Sequence, residues 1–268
     1  MRYLSGEFLK AKNQRFRNRA VLLIFVWLLL LGVSLSLLSY LFAIFNSNPQ
    51  SQNFTSLSWA GYVISNDFAV PPLEVRNISA SWTVPAVSSS LGNCYSSAWI
   101  GVGGQSDKTL IQAGSEQDSV NGQATYYAWY ELLPGFATVV TDITVSPGDV
   151  IAVSITLVDS STNEWLIQIS DATKGQAFSK NVVYDSSRSS GEWIMERPTV
   201  DKQLASLSDF GSITFGDCSI NVNNSFGVIS QFKYSYVGMA NQQATPLTSV
   251  SALTADGSSF TVGYLASS

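Results

Sequence analysis

The chain has 268 residues, a formal net charge of −5 and no histidine. Without an imidazole, Ser-His and Cys-His nucleophiles and His-based zinc sites are excluded, which leaves carboxylates and amides to carry any chemistry. Six of the 14 basic and one of the 19 acidic residues fall within residues 1–19, so the remainder holds eight against eighteen; a body carrying about −10 argues against nucleic acid or anionic lipid as its partner.

Residues 1–19, with Arg2, Lys10, Lys12, Arg15, Arg17 and Arg19, read as a basic cytoplasmic tail. Residues 20–45, "AVLLIFVWLLLLGVSLSLLSYLFAIF", carry no charge. As a helix at ~1.5 Å per residue this run spans about 39 Å, enough for a hydrocarbon core of ~30 Å. The basic flank precedes it, so the positive-inside rule puts the N-terminus in the cytoplasm and everything after Phe45 outside. The apolar region of a secretory signal is shorter, ~7–15 residues. The expectation is therefore a single N-terminal transmembrane helix acting as an uncleaved signal-anchor, with secretion after signal cleavage as the alternative. Residues 46–57 form a mostly polar linker, and residues 58–268 suffice for one β-rich domain.

Beyond the linker, period-two alternation dominates. "NISASWTV", "SSAWIGVGG", "KTLIQAG", "ATYYAWYELL", "DVIAVSITLVD", "NEWLIQIS", "GEWIMER", "GSITFGD", "QFKYSYVG" and "SSFTVGYL" read as strands. "VNGQ", "LPGF", "SPGD", "TKGQ" and "ADGSS" punctuate them as turns. Many short strands at this spacing indicate an all-β sandwich or barrel. The one segment ambiguous between strand and helix is "VDKQLASLSDFG", where a single helical turn would fit.

Alternation also assigns faces, because successive side chains in a strand point to opposite sides. Ile151, Val153, Ile155 and Leu157 form a core face. Ala98, Ile100 and Val102 do likewise, which turns Ser97, Trp99 and Gly101 the other way. Tyr127, Trp129 and Glu131 share one face. In "GEWIMER", Trp193 and Met195 lie on one side and Glu192, Ile194 and Glu196 on the other. A non-core face that mixes aromatics, small residues and acids suggests a binding groove.

Three kinds of function fit such a groove. Two carboxylates, for instance Glu131 and Glu192, could act as a glycosidase pair. One acid could move protons while a neutral donor holds an oxyanion. Or the groove could bind glycans or peptides without turnover. "GVGGQSDK" lacks the ending of a phosphate-binding loop, and no nucleotide fingerprint or CxxC occurs. No metal or organic cofactor is expected, and the domain is expected to be a monomer. Cys94 and Cys218 lie in the outside domain, where either a disulfide or buried thiols would be compatible. Asn53, Asn77 and Asn223 begin N-x-S/T sequons.

Taken in order, "SWAGY", "SASWTVP", "SSAWIGVGG", "TLIQAGSE", "YYAWYELLP", "SPGDVIAVSI", "GEWIMERP" and "LSDFGSITF" resemble the glutamic peptidases, or eqolisins, across most of Trp59–Phe215. The resemblance implies a concanavalin-like sandwich of two antiparallel sheets and acid-acting endopeptidase activity on polypeptide substrates. By motif, it implies Gln112 and Glu192 as the catalytic pair. Glu192 would be general base and acid on water, and Gln112 would hold the oxyanion. It implies substrate-groove roles for Trp59, Trp99, Trp129 and Glu131. The sequence departs from the family where an acid usually follows the "WIG" stretch, here Gly103, and where aromatics follow Glu131, here Leu132, Leu133 and Pro134. Ala113 stands where threonine is usual after the glutamine.

Overall fold

Alternation governs the architecture throughout residues 53–65, 73–88 and 92–268, which the computed structural model describes. The basic tail, the signal-anchor and residues 46–52 of the linker lie outside the described residues, while Phe54–Ser56 of the expected linker form a strand of the first sheet; among the described residues no helix is long and apolar enough to cross a membrane. In chain order the strands are β1 (Phe54–Ser56), β2 (Trp59–Ser65), β3 (Val75–Thr83), β4 (Cys94–Tyr95), β5 (Ser97–Gly103), β6 (Leu110–Val120) and β7 (Gln123–Leu132). There follow β8 (Thr138–Val140), β9 (Val150–Asp159), β10 (Glu164–Asp171), β11 (Gln176–Val183), β12 (Ser190–Glu196), β13 (Thr199–Val200) and β14 (Gln203–Leu204). The last are β15 (Ser206–Leu207), β16 (Ser212–Val222), β17 (Ser225–Val228), β18 (Ser235–Met239), β19 (Thr248–Val250) and β20 (Phe260–Tyr264).

Two large sheets result. The first runs β1-β18-β2-β12-β5-β6-β4-β15, with β7 joined to β6 and β8 to β7. The second runs β11-β10-β9-β3-β16-β20-β19, with β17 on β16. Pairing is antiparallel as expected except at the two ends of the first sheet, where β1–β18 and β4–β15 are parallel. The helical turn that would fit "VDKQLASLSDFG" is absent: β13 and β14 form a hairpin there. Its turn residues Asp201 and Lys202 both have positive φ, 50° and 65°, which a right-handed helix forbids and a tight hairpin turn requires.

The core fills the space between the sheets. Ala60, Tyr62, Ile64, Ala98, Ile100, Val102, Trp193 and Met195 face inward from the first sheet. Ile78, Trp82, Ile151, Val153, Ile155, Trp165, Ile167, Phe215 and Phe260 face them from the second. Phe215 stacks on Phe260 with centroids 5.0 Å apart, and Tyr62 packs on Phe260 at 4.7 Å. A buried indole N–H left unpaired costs free energy, and each core tryptophan has a partner. Trp82 donates to Ser115 Oγ at 3.0 Å, Trp165 to the Tyr184 carbonyl at 3.0 Å, and Trp193 to the Ser79 carbonyl at 2.9 Å. The last of these ties β12 to the opposite sheet. Cys94 and Cys218 are buried on β4 and β16 and carry thiols rather than a disulfide.

The first sheet has a second, smaller apolar cluster on its other face: Val63, Trp99, Leu110, Trp129, Ile194 and Val237, with Trp59, Tyr127 and Leu133 packed against it. That face carries the acids.

Candidate active site

Strand register lays the outer face of the first sheet out as a grid. One row across β2, β12, β5, β6 and β7 reads Val63, Glu192, Gly101, Gln112, Glu131. Two residues along each strand, the next row reads Gly61, Ile194, Trp99, Gly114, Trp129. A third reads Trp59, Glu196, Ser97, Glu116, Tyr127. Residues directly opposite in register share a face, so Glu192 and Gln112 point the same way. One strand separates them, and at ~4.8 Å per strand their backbones are ~10 Å apart. The residue between them is glycine, so no side chain of its own stands in that gap.

The polar atoms of the first row are unequally satisfied. Gln112 Nε2 donates to Glu131 Oε2 at 2.6 Å, while Gln112 Oε1 is buried without a partner. Neither oxygen of Glu192 has a hydrogen-bond partner, although the residue is fully buried. Burial pushes the Glu192 carboxyl well above the usual range; the nearby Ser190 hydroxyl opposes this and Asp107 adds to it. Burial also raises Glu131, against the opposing hydrogen bonds from Gln112 and the Ala137 backbone.

The second and third rows hold the tryptophans, Trp99 and Trp129 in the second and Trp59 in the third. Glu196 accepts from Trp59 Nε1 at 3.2 Å on one oxygen and from Trp99 Nε1 at 2.7 Å on the other. The two indoles meet edge to face with centroids 5.2 Å apart. Trp129 Nε1 donates to Ser97 Oγ at 3.1 Å. Burial pushes Glu196 up to about 7, opposed by the Trp99 and Trp59 hydrogen bonds and aided by the charge of Glu131. Farther along β6, Glu116 and Asp118 are buried side by side, and burial holds both above the ordinary carboxylate range.

A cavity of about 540 Å³ opens on this face. Gln112, Glu131, Trp59, Trp129 and Leu110 line it, with Glu116, Asp118 and Glu196 at its acidic end; Glu192 and Trp99 do not. All six residues singled out from the sequence therefore lie on one face. Gln112 and Glu131 are in contact, Trp59 and Trp99 are joined through Glu196, and Glu192 shares the row of Gln112 but is fully buried and does not line the cavity. Glu196, Glu116 and Asp118 are the groups that the reading of functional residues missed. Their signal was present in the alternation: Glu196 falls on the Glu192 face, and Gln112, Gly114, Glu116 and Asp118 recur every second position.

Two packed β-sheets with an amide and carboxylates in an aromatic cleft on one outer face define a β-sandwich built for carboxylate chemistry. Residues 57–264 match the model of the Peptidase A4 family, and the chain belongs to that family. It is 32% identical over 184 residues to aspergillopepsin-2 of Aspergillus niger, covering 60% of this chain and 62% of that protein's length. It is 28% identical over 201 residues to scytalidopepsin B of Scytalidium lignicola, covering 70% of this chain and 72% of that protein. In fold, the chain is similar to scytalido-glutamic peptidase, solved with a transition-state analogue inhibitor, at TM-score 0.66 and 22% identity over 78% of this chain and 99% of that one. The aspergilloglutamic peptidase from Aspergillus niger superposes with a TM-score of 0.57 at 29% identity, covering 64% of this chain and 99% of that structure. The eqolisin resemblance read from the sequence is thus borne out.

Proposed function

We infer that the protein is an acid-acting glutamic endopeptidase in which Gln112 and Glu192 work as a dyad. The observation that carries this reading is the register of the first sheet, which sets the two residues on one face, in one row, with only Gly101 between them. The amide of Gln112 has two N–H donors. One is spent on Glu131, which fixes the amide's orientation, and the second is available to an oxyanion. Ionised Glu192 would take a proton from a water molecule as that water attacks the scissile carbonyl. Negative charge developing on the carbonyl oxygen would be met by the free Gln112 N–H, and protonated Glu192 would return its proton to the leaving amine. No covalent intermediate is involved. Trp59, Trp129 and Glu131 line the cavity and would contact a polypeptide substrate, while Trp99 would act from beneath.

Glu192→Gln should abolish cleavage of denatured protein in acid solution while leaving the melting temperature within a few degrees of the parent. Gln112→Ala should lower the rate by ~10²–10³, the usual consequence of losing one oxyanion donor. Cleavage should resist pepstatin and chelators. Normal turnover by Glu192→Gln would end the proposal. A second reading, a binding module without turnover, draws support from the separation of Glu192 from the cavity; binding of peptides with no new fragments at any pH would favour it. For location we infer a domain held outside the cell by residues 20–45, with secretion as the alternative. Mass spectrometry of the mature N-terminus distinguishes the two.

A further inference from the structure

The gap between Glu192 and Gln112 is not open space. A Cβ built on Gly101 would meet Leu110 Cδ1 at 2.8 Å and the Trp99 ring at 2.9 Å. The Leu110 methyl therefore lies over the bare backbone of Gly101, where a water and a scissile carbonyl would have to sit. Leu110 is almost completely buried, belongs to the small apolar cluster, and also lines the cavity that Glu192 fails to reach. It is thus the wall between the two.

We propose that Leu110 is a positioning residue that acts through Glu192: its side chain separates the carboxylate from the cavity, and must swing aside before the dyad can share one water. This rests on the dyad reading above. Its backbone is pinned by hydrogen bonds, and its side chain packs in the small apolar cluster. The Leu110 N–H donates to Tyr184 Oη at 2.8 Å, that hydroxyl donates to the Leu133 carbonyl at 2.7 Å, and the Leu133 N–H returns to the Leu110 carbonyl at 3.0 Å. The side chain has the cavity on one flank, so rotation about χ1 has somewhere to go, and it is held by apolar contact alone. Position 110 also opens β6 directly after the 104–109 loop, rather than sitting in mid-strand.

The surroundings of Glu192 explain why this wall matters. Across from it stand Val63 on β2 and bare Gly101 on β5; along β12 its same-face neighbours are Ser190 and Ile194. Burial is the main cause that disfavours its ionisation, the Ser190 hydroxyl opposes it, and the charge of Asp107, in the loop before β6, adds a smaller effect. Water admitted past Leu110 would supply donors and favour the ionised, basic form. With Leu110 in place burial disfavours the ionised carboxylate, and hydration on opening would favour it.

The test uses the full chain, with Leu110→Ala and Leu110→Phe. Carboxyl groups are labelled with a water-soluble carbodiimide and glycinamide in mildly acid solution, and Glu192 and Glu131 are followed by peptide mass mapping. In the parent, Glu131 should react and Glu192 should lag. Leu110→Ala should speed labelling of Glu192 on the order of tenfold relative to Glu131, since reactivity follows the open population. Leu110→Phe should slow it. In kinetics on a soluble peptide, Leu110→Ala should move the acid limb of the kcat/KM profile to lower pH, a change that simple loosening of the core would not produce. Glu192 labelling as fast as Glu131 in the parent, or unmoved by either substitution, overturns the role of Leu110. Labelling as expected in a protein that cleaves no peptide upholds the wall and instead sinks the peptidase reading.

Discussion

Gly101 is the residue on which the site's geometry turns. Any Cβ there would lie 2.8 Å from Leu110 Cδ1 and 2.9 Å from the Trp99 ring, closer than non-bonded carbons approach. Gly101→Ala should lower stability by about 1–3 kcal/mol, the usual range for overpacking a filled site, read as a fall in thermal midpoint. Because the clash is with a specific side chain, the double variant Gly101→Ala, Leu110→Ala should lose less than the sum of the two singles. Additive losses would place the clash elsewhere. Nothing in the sequence marked this residue as more than one small residue on a groove face. The interleaving of Leu110 from the neighbouring strand is a matter of register, which alternation along a single strand does not fix.

At the scale of elements, β12 shows how far alternation carries. Its two faces were legible: Trp193 and Met195 inward, Glu192, Ile194 and Glu196 outward, and the structure places each so. What alternation could not supply was the neighbours. That Glu196 would gather two indole N–H groups depends on β2 and β5 flanking β12, a pairing between segments separated by 137 and 97 positions. The hairpin of β13 and β14 was missed for a related reason. Leu204 and Leu207 in "QLASL" have the spacing of a helical turn, while the decisive residues, Asp201 and Lys202, adopt left-handed backbone that lysine rarely shows. The inward face of β12 yields its own prediction. Trp193→Phe removes the hydrogen bond to the Ser79 carbonyl and leaves space in the core, so its unfolding free energy in urea should fall by ~1–3 kcal/mol. The activity of the remaining folded molecules should be unchanged, because that face does not touch the cleft.

For the whole molecule, the concentration of carboxylates on one face sets a direction for stability with pH. Glu196 rises from an ordinary value of 4.5 to about 7 in the folded protein, and Asp118, Glu116, Glu131 and Glu192 all shift the same way. A raised acid keeps its proton when folded after the unfolded chain has lost it. Stability is then full below about 4.5 and declines as pH rises through about 7. Melting midpoints should therefore fall between these limits, and Glu196→Gln should flatten part of the decline; a midpoint that climbs over this interval would contradict the assignment of these acids to the fold. The acidic excess of residues 20–268 acts in the same direction, through self-repulsion. Alternation and turn chemistry made an all-β sandwich or barrel legible, and the family resemblance selected the sandwich. The residues before 53 lie outside the described structure, so the signal-anchor stands on the sequence alone.

The two indoles held by Glu196 also give the cleft a built-in optical reporter. Trp59, Trp99 and Trp129 are three of the six described tryptophans, and the other three, Trp82, Trp165 and Trp193, sit in the core bonded to uncharged groups. When Glu196 takes up a proton, the acceptor facing two excited-state dipoles changes from an anion to a neutral acid. Emission should then titrate near neutrality in the parent and lose that step in Glu196→Gln, giving a label-free readout of the cleft's protonation while a ligand binds.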